Sequence, residues 1–443
     1  MSRPGQTSSQ LRLIAALCGY FLVPIVILLA APWWLLLAFL ALLGLLAALT
    51  RGGRQVLSVI QVGIATIPQR IGSSSVVVVG IAGVVAVLIA LLAMAQGFAQ
   101  TLKETGDDQT AIVMRAGANS EINSVLDHDS AVLVAQAPQV RRGASGEPIA
   151  SPELVVVASV PKKTTGLDAN VELRGIGVRA WELRPKVQIS EGRKFRPGLR
   201  ELIVGKDARR QFANVEPGST LKLGGQLWSV VGAFDSGDSH NSELWADTDI
   251  VASAYRRGSS TTSVTVRLTE AGAFDALKAG LESERRLQVD VLTTRNYYNS
   301  QSEAIASLIR ILGTVVGVIM AVGAVFGALN TMYAAVAARA REIATLRAIG
   351  FRGTPVIVSV MAETLLLAFL GGLIGAALAW AVFDNYTAST LGSNFSQVVF
   401  SFRVSPPLLW DGLKWALTIG LIGGLFPALR AARMPVTTGL REL

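Results

Sequence analysis

The stretch MYAAVAARAREIATLRAIGF, Met332–Phe351, decides how this chain is organised. It is a basic, amphipathic segment between two apolar spans, Ala304–Thr331 and Thr354–Phe383, each longer than the roughly 20 residues that cross a bilayer. Four arginines lie in it or beside it: Arg339, Arg341, Arg347 and Arg352. A short loop this rich in arginine between two membrane helices faces the cytoplasm. The segment therefore predicts a pair of membrane helices joined on the inner side.

The composition points the same way. The 443 residues are 51% hydrophobic and carry a net charge of +9. Between Gly97 and Glu303 there are 25 basic and 26 acidic residues, whereas the rest of the chain has 15 basic and 5 acidic residues. The basic excess thus flanks the apolar spans, which indicates membrane orientation and argues against nucleic-acid binding. The only cysteine, Cys18, excludes a disulfide framework within the chain.

Six apolar spans predict six transmembrane helices, the first two forming a tight hairpin. The spans are Leu11–Ala30, Trp33–Leu49, Ser74–Gln96, Ala304–Thr331, Thr354–Phe383 and Leu408–Ala428. One topology places twelve arginines inside: Arg3, Arg12, Arg51, Arg54, Arg70, Arg339, Arg341, Arg347, Arg352, Arg430, Arg433 and Arg441. Both termini are then cytoplasmic, and Gly97–Glu303 lies outside the cell membrane. A secretory signal peptide is the alternative for the first span, but its apolar run is too long and no convincing cleavage site follows.

Two kinds of helix are expected beside the spans. Gln55–Arg70 has apolar residues at helical spacing between arginines, which predicts an amphipathic helix at the inner interface that ends or bends at Pro68. A merely hydrophobic linker is the alternative. The third and fourth spans are expected to continue as helices beyond the membrane, through Phe98–Glu104 and Thr294–Glu303.

The exported region predicts an α+β domain inserted between membrane helices. Its candidate strands are Ala111–Arg115, Glu153–Val160, Thr220–Leu223, Leu227–Phe234, Ser263–Leu268 and Gln288–Leu292. Its candidate helices are Asp129–Gln136, Lys206–Phe212, Asp249–Arg256 and Ala271–Arg286.

No catalytic constellation is predicted. Gly205-Lys206 is followed by Asp207 and lacks the glycine spacing of a phosphate-binding loop, so ATP hydrolysis would need another polypeptide. The stretch FDSGDSHNSELW contains Asp235, Asp238 and His240, which we interpret as a solvated turn and not as a metal site. Ser239-His240 lacks the Gly-x-Ser-x-Gly elbow of a hydrolase. We therefore expect no catalytic, cofactor-binding or metal-binding residue in this chain.

Arg341-Glu342-Ile343 followed by Leu346–Gly350 resembles the cytoplasmic coupling segment of FtsX/MacB-type (type VII) ABC transporter permeases. Glu201–Gly205, Val215–Leu223 and Trp228–Phe234 resemble the extracytoplasmic core domain of the same permeases. The resemblance covers residues 55–443 and implies no fused ATPase domain. Together with the apolar spans it divides the chain into an interfacial helix at 51–72, a membrane helix at 73–97, an extracytoplasmic domain at 98–303 with an outer lobe at 165–247, and a permease domain at 304–443 with its coupling segment at 332–353. The tail and extra hairpin at 1–50 depart from the family's pattern of four membrane helices.

The same resemblance assigns residues that couple the chain to an ATPase. They are Arg339, Arg341, Glu342, Ile343, Leu346, Arg347, Ile349 and Gly350. Arginines would hold the partner, apolar side chains would fill its groove, and Gly350 would end the helix. A loop that merely obeys the positive-inside rule, with no partner, is the alternative. Glu363 in the fifth span would pair with the coupling segment through Arg347 or Arg352, or else reach the interface.

Glycines in the fourth span allow close helix packing. They are Gly313, Gly317, Gly323 and Gly327. Such spacing serves either a dimer contact or packing within one subunit.

By resemblance, two permease subunits, identical or different, pair with two ATPase subunits that bind ATP and Mg²⁺, in the inner membrane. Membrane lipids and a periplasmic adaptor or outer-membrane component are further expected partners. We expect ATP-driven conformational change that exports a periplasmic or membrane-derived substrate. Lipoprotein release, or signalling to an external partner such as a cell-wall hydrolase, are the alternatives.

Overall fold

The computed structural model describes residues 49–65, 67–392 and 396–435, with isolated positions between 32 and 45. Apart from those positions, the predicted hairpin Leu11–Leu49 lies outside the described residues. Within the described part of the chain, four helices are long and apolar enough to cross a membrane. They contain the last four predicted spans.

The chain divides into two compact units, which we call the membrane unit and the sheet unit. The membrane unit comprises the described residues of Met1–Ala93, Arg310–Asp384 and Arg403–Leu443, and the sheet unit comprises Met94–Ile309 and Asn385–Phe402. The helices are α1 (Arg51–Ala65), α2 (Ile71–Thr105), α3 (His128–Ala135), α4 (Ala180–Leu183), α5 (Lys206–Gln211), α6 (Thr248–Ala254), α7 (Phe274–Ser283), α8 (Thr294–Ala338), α9 (Ala340–Ala348), α10 (Gly353–Phe383) and α11 (Pro406–Arg433).

Twelve strands complete the described elements. They are β1 (Thr110–Arg115), β2 (Ala150–Pro161), β3 (Asp168–Ile176), β4 (Gln188–Gly192), β5 (Glu201–Gly205), β6 (Thr220–Leu223), β7 (Gln226–Asp235), β8 (Leu244–Asp247), β9 (Ser263–Arg267), β10 (Val289–Thr293), β11 (Thr387–Leu391) and β12 (Gln397–Ser401). Short 3₁₀ turns lie at Ile67–Arg70, Glu121–Asn123, Ser239–Ser242 and Ala271–Ala273.

The predicted helical extensions are confirmed: α2 continues to Thr105 and α8 begins at Thr294. The predicted interfacial helix is α1, which is followed by the 3₁₀ turn that contains Pro68. A proline inside this stretch cannot donate a backbone hydrogen bond, which fits the change from α-helix to a tighter turn.

One mixed sheet organises the sheet unit, with strand order β10-β1-β9-β2-β3-β8-β5-β7-β4 and β6 beside β7. The long strand β2 serves two packed regions, since Ala150–Glu153 pair with β9 and Leu154–Pro161 pair with β3. The two regions have separate apolar cores. One core lies under α3 and α7, and the other includes residues of α5, α6 and β2. The second core begins at Leu154 and ends at Ala252, beyond the 165–247 range expected for the outer lobe.

A β-hairpin between α10 and α11 belongs to the sheet unit. Strands β11 and β12 pair in register from Thr387↔Ser401 to Leu391↔Gln397. Phe400 is 2% exposed and meets Phe98 edge-on, with ring centroids 5.5 Å apart. The Val399 backbone N–H donates to Ser242 Oγ at 2.9 Å. This hairpin is therefore a packed part of the sheet unit and not a free loop.

Candidate functional site

The predicted coupling segment forms a short helix that follows an interruption of the helical structure at Arg339; we call this interruption the break before α9. Helix α8 ends at Ala338, Arg339 lies between the helices, and α9 runs from Ala340 to Ala348. Gly350 has a φ of 103°, a left-handed conformation that glycine adopts without steric penalty. The expected helix stop at Gly350 therefore has the required backbone geometry.

One face of helix α9 is buried against the membrane unit and the opposite face is exposed. Ile343 is 5% exposed and packs with Met332, Val336 and Val360, so the expectation that it fills a partner's groove is wrong for this conformation. The reason is helical periodicity, which directs Ile343 and Ala344 towards α8 and α10. Ile349, in contrast, is 69% exposed.

The other predicted coupling residues of the segment also differ in exposure. Arg341 and Glu342 are exposed, and Leu346 is half-buried. Arg347 donates from Nη1 to the backbone oxygens of Ala432 at 2.6 Å and Met434 at 3.0 Å, at the end of α11. Those carbonyls have no partner within the helix, so Arg347 acts as a C-terminal cap.

Glu363 is the centre of a buried ion triad. Its Oε1 accepts from Arg70 Nη2 at 3.0 Å, and its Oε2 accepts from Arg339 Nη1 at 3.1 Å. Arg339 Nε also donates to Glu342 Oε2 at 3.0 Å. The expected pairing with the coupling region is thus made through Arg339, and the proposed partners Arg347 and Arg352 are wrong. Since the Glu363 side chain is 3% exposed, the alternative of reaching the interface is also wrong.

Helix α1 joins this arrangement by close approach to α10. Ser359 Oγ donates to the Val59 carbonyl at 3.1 Å. A Cβ on Gly63 would lie 2.9 Å from Ser359 Oγ, so glycine allows the contact. Helix α1, Arg339 before α9, and α10 are therefore held to one another beside Glu363.

The four glycines of α8 have two different environments. A Cβ on Gly313 or Gly317 would meet Leu91 or Leu88 of α2, at 3.0 and 2.8 Å. These two glycines serve packing within the chain. Gly323 and Gly327 have nothing within 4 Å of such a Cβ among the described residues.

The sheet unit contains a buried charge cluster that the sequence analysis missed. Arg174 contacts four carboxylates, each within 3.0 Å: Glu121, Glu153, Glu172 and Glu243. Arg184 adds a bidentate pair with Glu153 at 2.7 and 2.8 Å. Four glutamates and two arginines are thus buried together. The available signal was a charged residue inside an apolar strand, as Glu153 is in β2 and Arg174 in β3.

His240 extends this cluster, contrary to the expected solvated turn. It is 3% exposed, and its Nδ1 lies 2.9 Å from Asp238 Oδ1. Trp245 and Tyr298 lie edge-on to its ring. The turn is buried because Trp245 and the first turn of α8 cover it. No group of three or more His, Cys, Asp or Glu side chains suited to a metal occurs among the described residues.

The pKa values in the cluster follow from this pairing. Burial alone would raise the pKa of Glu153, but Arg184 and Arg174 outweigh it and lower the pKa to about 2. Burial also opposes ionisation of Glu243 and Asp238, yet Arg174 and His240 lower their pKa values. Glu153, Glu243 and Asp238 are therefore ionised at neutral pH, and the ion pairs of Arg174 connect β2, β3 and the residue that precedes β8.

Two family models match the chain. The MacB-like periplasmic core domain matches residues 74–284, and the FtsX-like permease C-terminal domain matches residues 314–436. These matches make the chain a membrane permease of the ABC transporter class. It belongs to the MacB/FtsX-like ABC transporter permease family.

Similar proteins share low identity with it. The macrolide export ATP-binding/permease protein MacB 2 of Yersinia pestis is 25% identical over 55% of this chain and 37% of its own length. The ABC transporter permease YknZ of Bacillus subtilis is 25% identical over 54% of this chain and 61% of its own length. The matched region thus spans less than two thirds of either relative. The periplasmic region of MacB from Actinobacillus actinomycetemcomitans is 15% identical, with a TM-score of 0.34, over 42% of this chain and 90% of that structure.

Proposed function

We propose that this chain couples ATP hydrolysis by a separate ATPase subunit to a conformational change in its sheet unit. This proposal rests on the exposed residues of α9: Arg341 and Glu342 are exposed in its first turn, and Ile349 is exposed directly after its last residue. An exposed apolar side chain between charged residues is a suitable anchor for a partner's groove. ATP and Mg²⁺ bind to the partner and not to this chain.

The ion triad gives this face a firm base. A push on α9 acts directly on Arg339, which Glu363 connects to Arg70 and to α10. Rigid, hydrogen-bonded elements carry displacement better than loops do. Arg347 belongs to this support, because it caps α11.

The use of this coupling is export of a periplasmic or membrane-derived substrate across the cell envelope. In this proposal the chain is an inner-membrane protein with both termini cytoplasmic and the sheet unit outside. A periplasmic adaptor or outer-membrane component receives the substrate. The family membership supports this assignment.

A second permease subunit completes the assembly. Helix α8 exposes Ile311, Ile319 and Phe326 on the membrane unit, and no atom of the described residues would lie within 4 Å of a Cβ on Gly323 or Gly327. Small residues next to apolar ones let two helices approach closely in a bilayer. We assign these exposed residues of α8 to the contact between two permease subunits.

Affinity purification of the full chain from its native cells, followed by mass spectrometry, tests the proposal. The docking variant is Arg341→Glu with Ile349→Glu, and Arg54→Glu in α1 is the control, since Arg54 is also exposed. We expect the wild type and the control to recover an ABC ATPase and the docking variant to lose it. A co-purified adaptor supports export, whereas a cell-wall hydrolase contradicts it. Recovery of no ATPase with any variant refutes the coupling role.

A further inference from the structure

An apolar groove lies between α10 and α11, in the part of these helices nearest the hairpin β11–β12 in sequence. Its volume is about 410 Å³, within the range of small-molecule sites. Small residues, Ala376 and Ala377, form its floor on α10. Gly372 also lines the groove, at a point where the two helices touch, since a Cβ there would lie 2.8 Å from the Cβ of Ala416.

Bulky residues form the walls of the groove and one of them has an unused donor. Trp380 lines it from α10, and Pro406, Trp410 and Leu413 line it from α11. The buried Nε1 of Trp410 has no hydrogen-bond partner within the described part of the chain. An unpaired buried N–H costs about 1–3 kcal/mol. The groove is therefore suited to a molecule that is apolar along its length and carries one acceptor.

Charged residues of both signs lie within four positions in sequence of residues that line the groove. Asp384 follows α10, Arg403 precedes α11, and the Val404 N–H donates to Asp384 Oδ1 at 3.2 Å. Lys414 and Asp411 form an ion pair one turn further along α11, at 2.7 Å. Two cations and two anions near one apolar groove complement a zwitterionic headgroup better than an anionic one.

The depth of Trp410 fits a lipid. It is the fifth residue of α11, about 6 Å along the helix axis from the first. Tryptophans at this level of membrane helices lie at the boundary between headgroups and acyl chains. Ester carbonyls of a glycerophospholipid lie at that boundary and accept hydrogen bonds.

We propose that this groove binds one zwitterionic glycerophospholipid. An acyl chain occupies the space over Ala376 and Ala377, and an ester carbonyl accepts the hydrogen bond from Trp410 Nε1. The headgroup lies near the charged residues that follow α10 and begin α11. This site is independent of the proposed coupling to an ATPase, because it lies in α10 and α11 away from α9.

The test uses the purified full chain in mild detergent with a phosphatidylethanolamine that carries a photoactivatable diazirine on one acyl chain. Cross-linked peptides are identified by mass spectrometry. Ala377→Leu fills the groove, and Ala381→Leu is the matched control, because Ala381 is exposed one turn later on the same helix and does not line the groove. We expect labelling within residues 372–413 that Ala377→Leu abolishes and Ala381→Leu preserves.

Trp410→Phe keeps the ring shape and removes the donor, so we expect labelling to fall by about fivefold, the value of one hydrogen bond. Equal labelling of Ala377→Leu and Ala381→Leu would mean non-specific annular lipid only and would overturn the proposal. A second overturning result is no lipid label together with a cross-link from a cysteine at position 377, in a Cys18→Ser background, to residues 11–49 or to another copy. Neither measurement involves an ATPase. A result that overturns lipid binding therefore leaves the proposed coupling to an ATPase untouched.

Discussion

At the residue scale, Glu363 holds the membrane unit's polar centre together. One carboxylate accepts from two arginines that come from separate elements, the 3₁₀ turn after α1 and the break before α9. In apolar surroundings such a charge is tolerated only with partners of opposite sign. The pairing therefore explains why a glutamate occupies an otherwise apolar α10.

Glu363→Gln should destabilise the membrane unit strongly. The amide keeps the size of the side chain but leaves Arg70 and Arg339 without their shared counter-charge, and breaking a buried pair costs about 3 kcal/mol. Glu342→Gln is the matched control, because Glu342 pairs with the same Arg339 but is 53% exposed. The control should change stability by less than about 0.5 kcal/mol. Thermal unfolding in detergent measures both, and equal midpoints for the two variants would contradict the triad's role.

The buried charge cluster predicts how the sheet unit responds to acid. Glu153 has a pKa of about 2 in the folded chain, below its ordinary value, so its contribution to stability is present above about pH 5 and is lost as the pH falls towards 2. Glu243 and Asp238 have lowered pKa values and add loss in the same direction. The Glu153 contribution alone is about 3 kcal/mol.

Limited proteolysis of the full chain between pH 7 and pH 3 measures this response. We expect the sheet unit to become susceptible below about pH 5. Glu153→Gln mimics the protonated state, so its susceptibility at pH 7 should approach that of the wild type at low pH. Glu201→Gln is the control, since Glu201 pairs with the more exposed Arg193. A wild type that resists proteolysis equally at pH 7 and pH 3 would show that the cluster does not govern stability.

At the element scale, the hairpin β11–β12 contributes a buried aromatic residue to the core of the sheet unit. Phe400→Ala removes a ring that packs on Phe98 and should destabilise this part by about 3–5 kcal/mol. Leu391→Ala in the same hairpin is the control, because Leu391 is exposed. Hydrogen exchange of residues 385–402 measures the effect. Similar protection in both variants would mean that the hairpin is not anchored through Phe400.

Local sequence patterns predicted the elements whose signals are local. Six strands of the sheet unit lie within three residues of their predicted positions, and α9 ends at Ala348, two residues before the glycine that was expected to stop it. The prediction omitted β3, β4, β5, β8 and the hairpin β11–β12. In β3, Glu172 and Arg174 interrupt the apolar pattern. Arg174 pairs with Glu172 in the same strand and with glutamates that are more distant in sequence, which are Glu121, Glu153 and Glu243. Strands of this kind are stabilised by tertiary contacts and not by intrinsic propensity.

The candidate site was predictable to the same extent. The helical segment and its basic character follow from the sequence, and so does the need of Glu363 for a partner. The identity of the arginines that pair with Glu363 does not follow from the sequence, since Arg70 and Glu363 are 293 positions apart and only the fold brings them together. The inward direction of Ile343 likewise depends on the packing of α9 against α8 and α10.

At the scale of the whole molecule, the charge distribution and the proposed function require one orientation in the membrane. The sheet unit is nearly neutral, whereas basic residues flank the apolar helices, and such residues stay on the cytoplasmic side. Substituted cysteines test this in intact cells, because Cys18→Ser removes the natural thiol. Ser259→Cys in the sheet unit and Ala348→Cys in α9 are both exposed positions. A membrane-impermeant maleimide should label Ser259→Cys at once and Ala348→Cys only after the membrane is permeabilised, and the reverse order would refute both the orientation and an ATPase-facing α9.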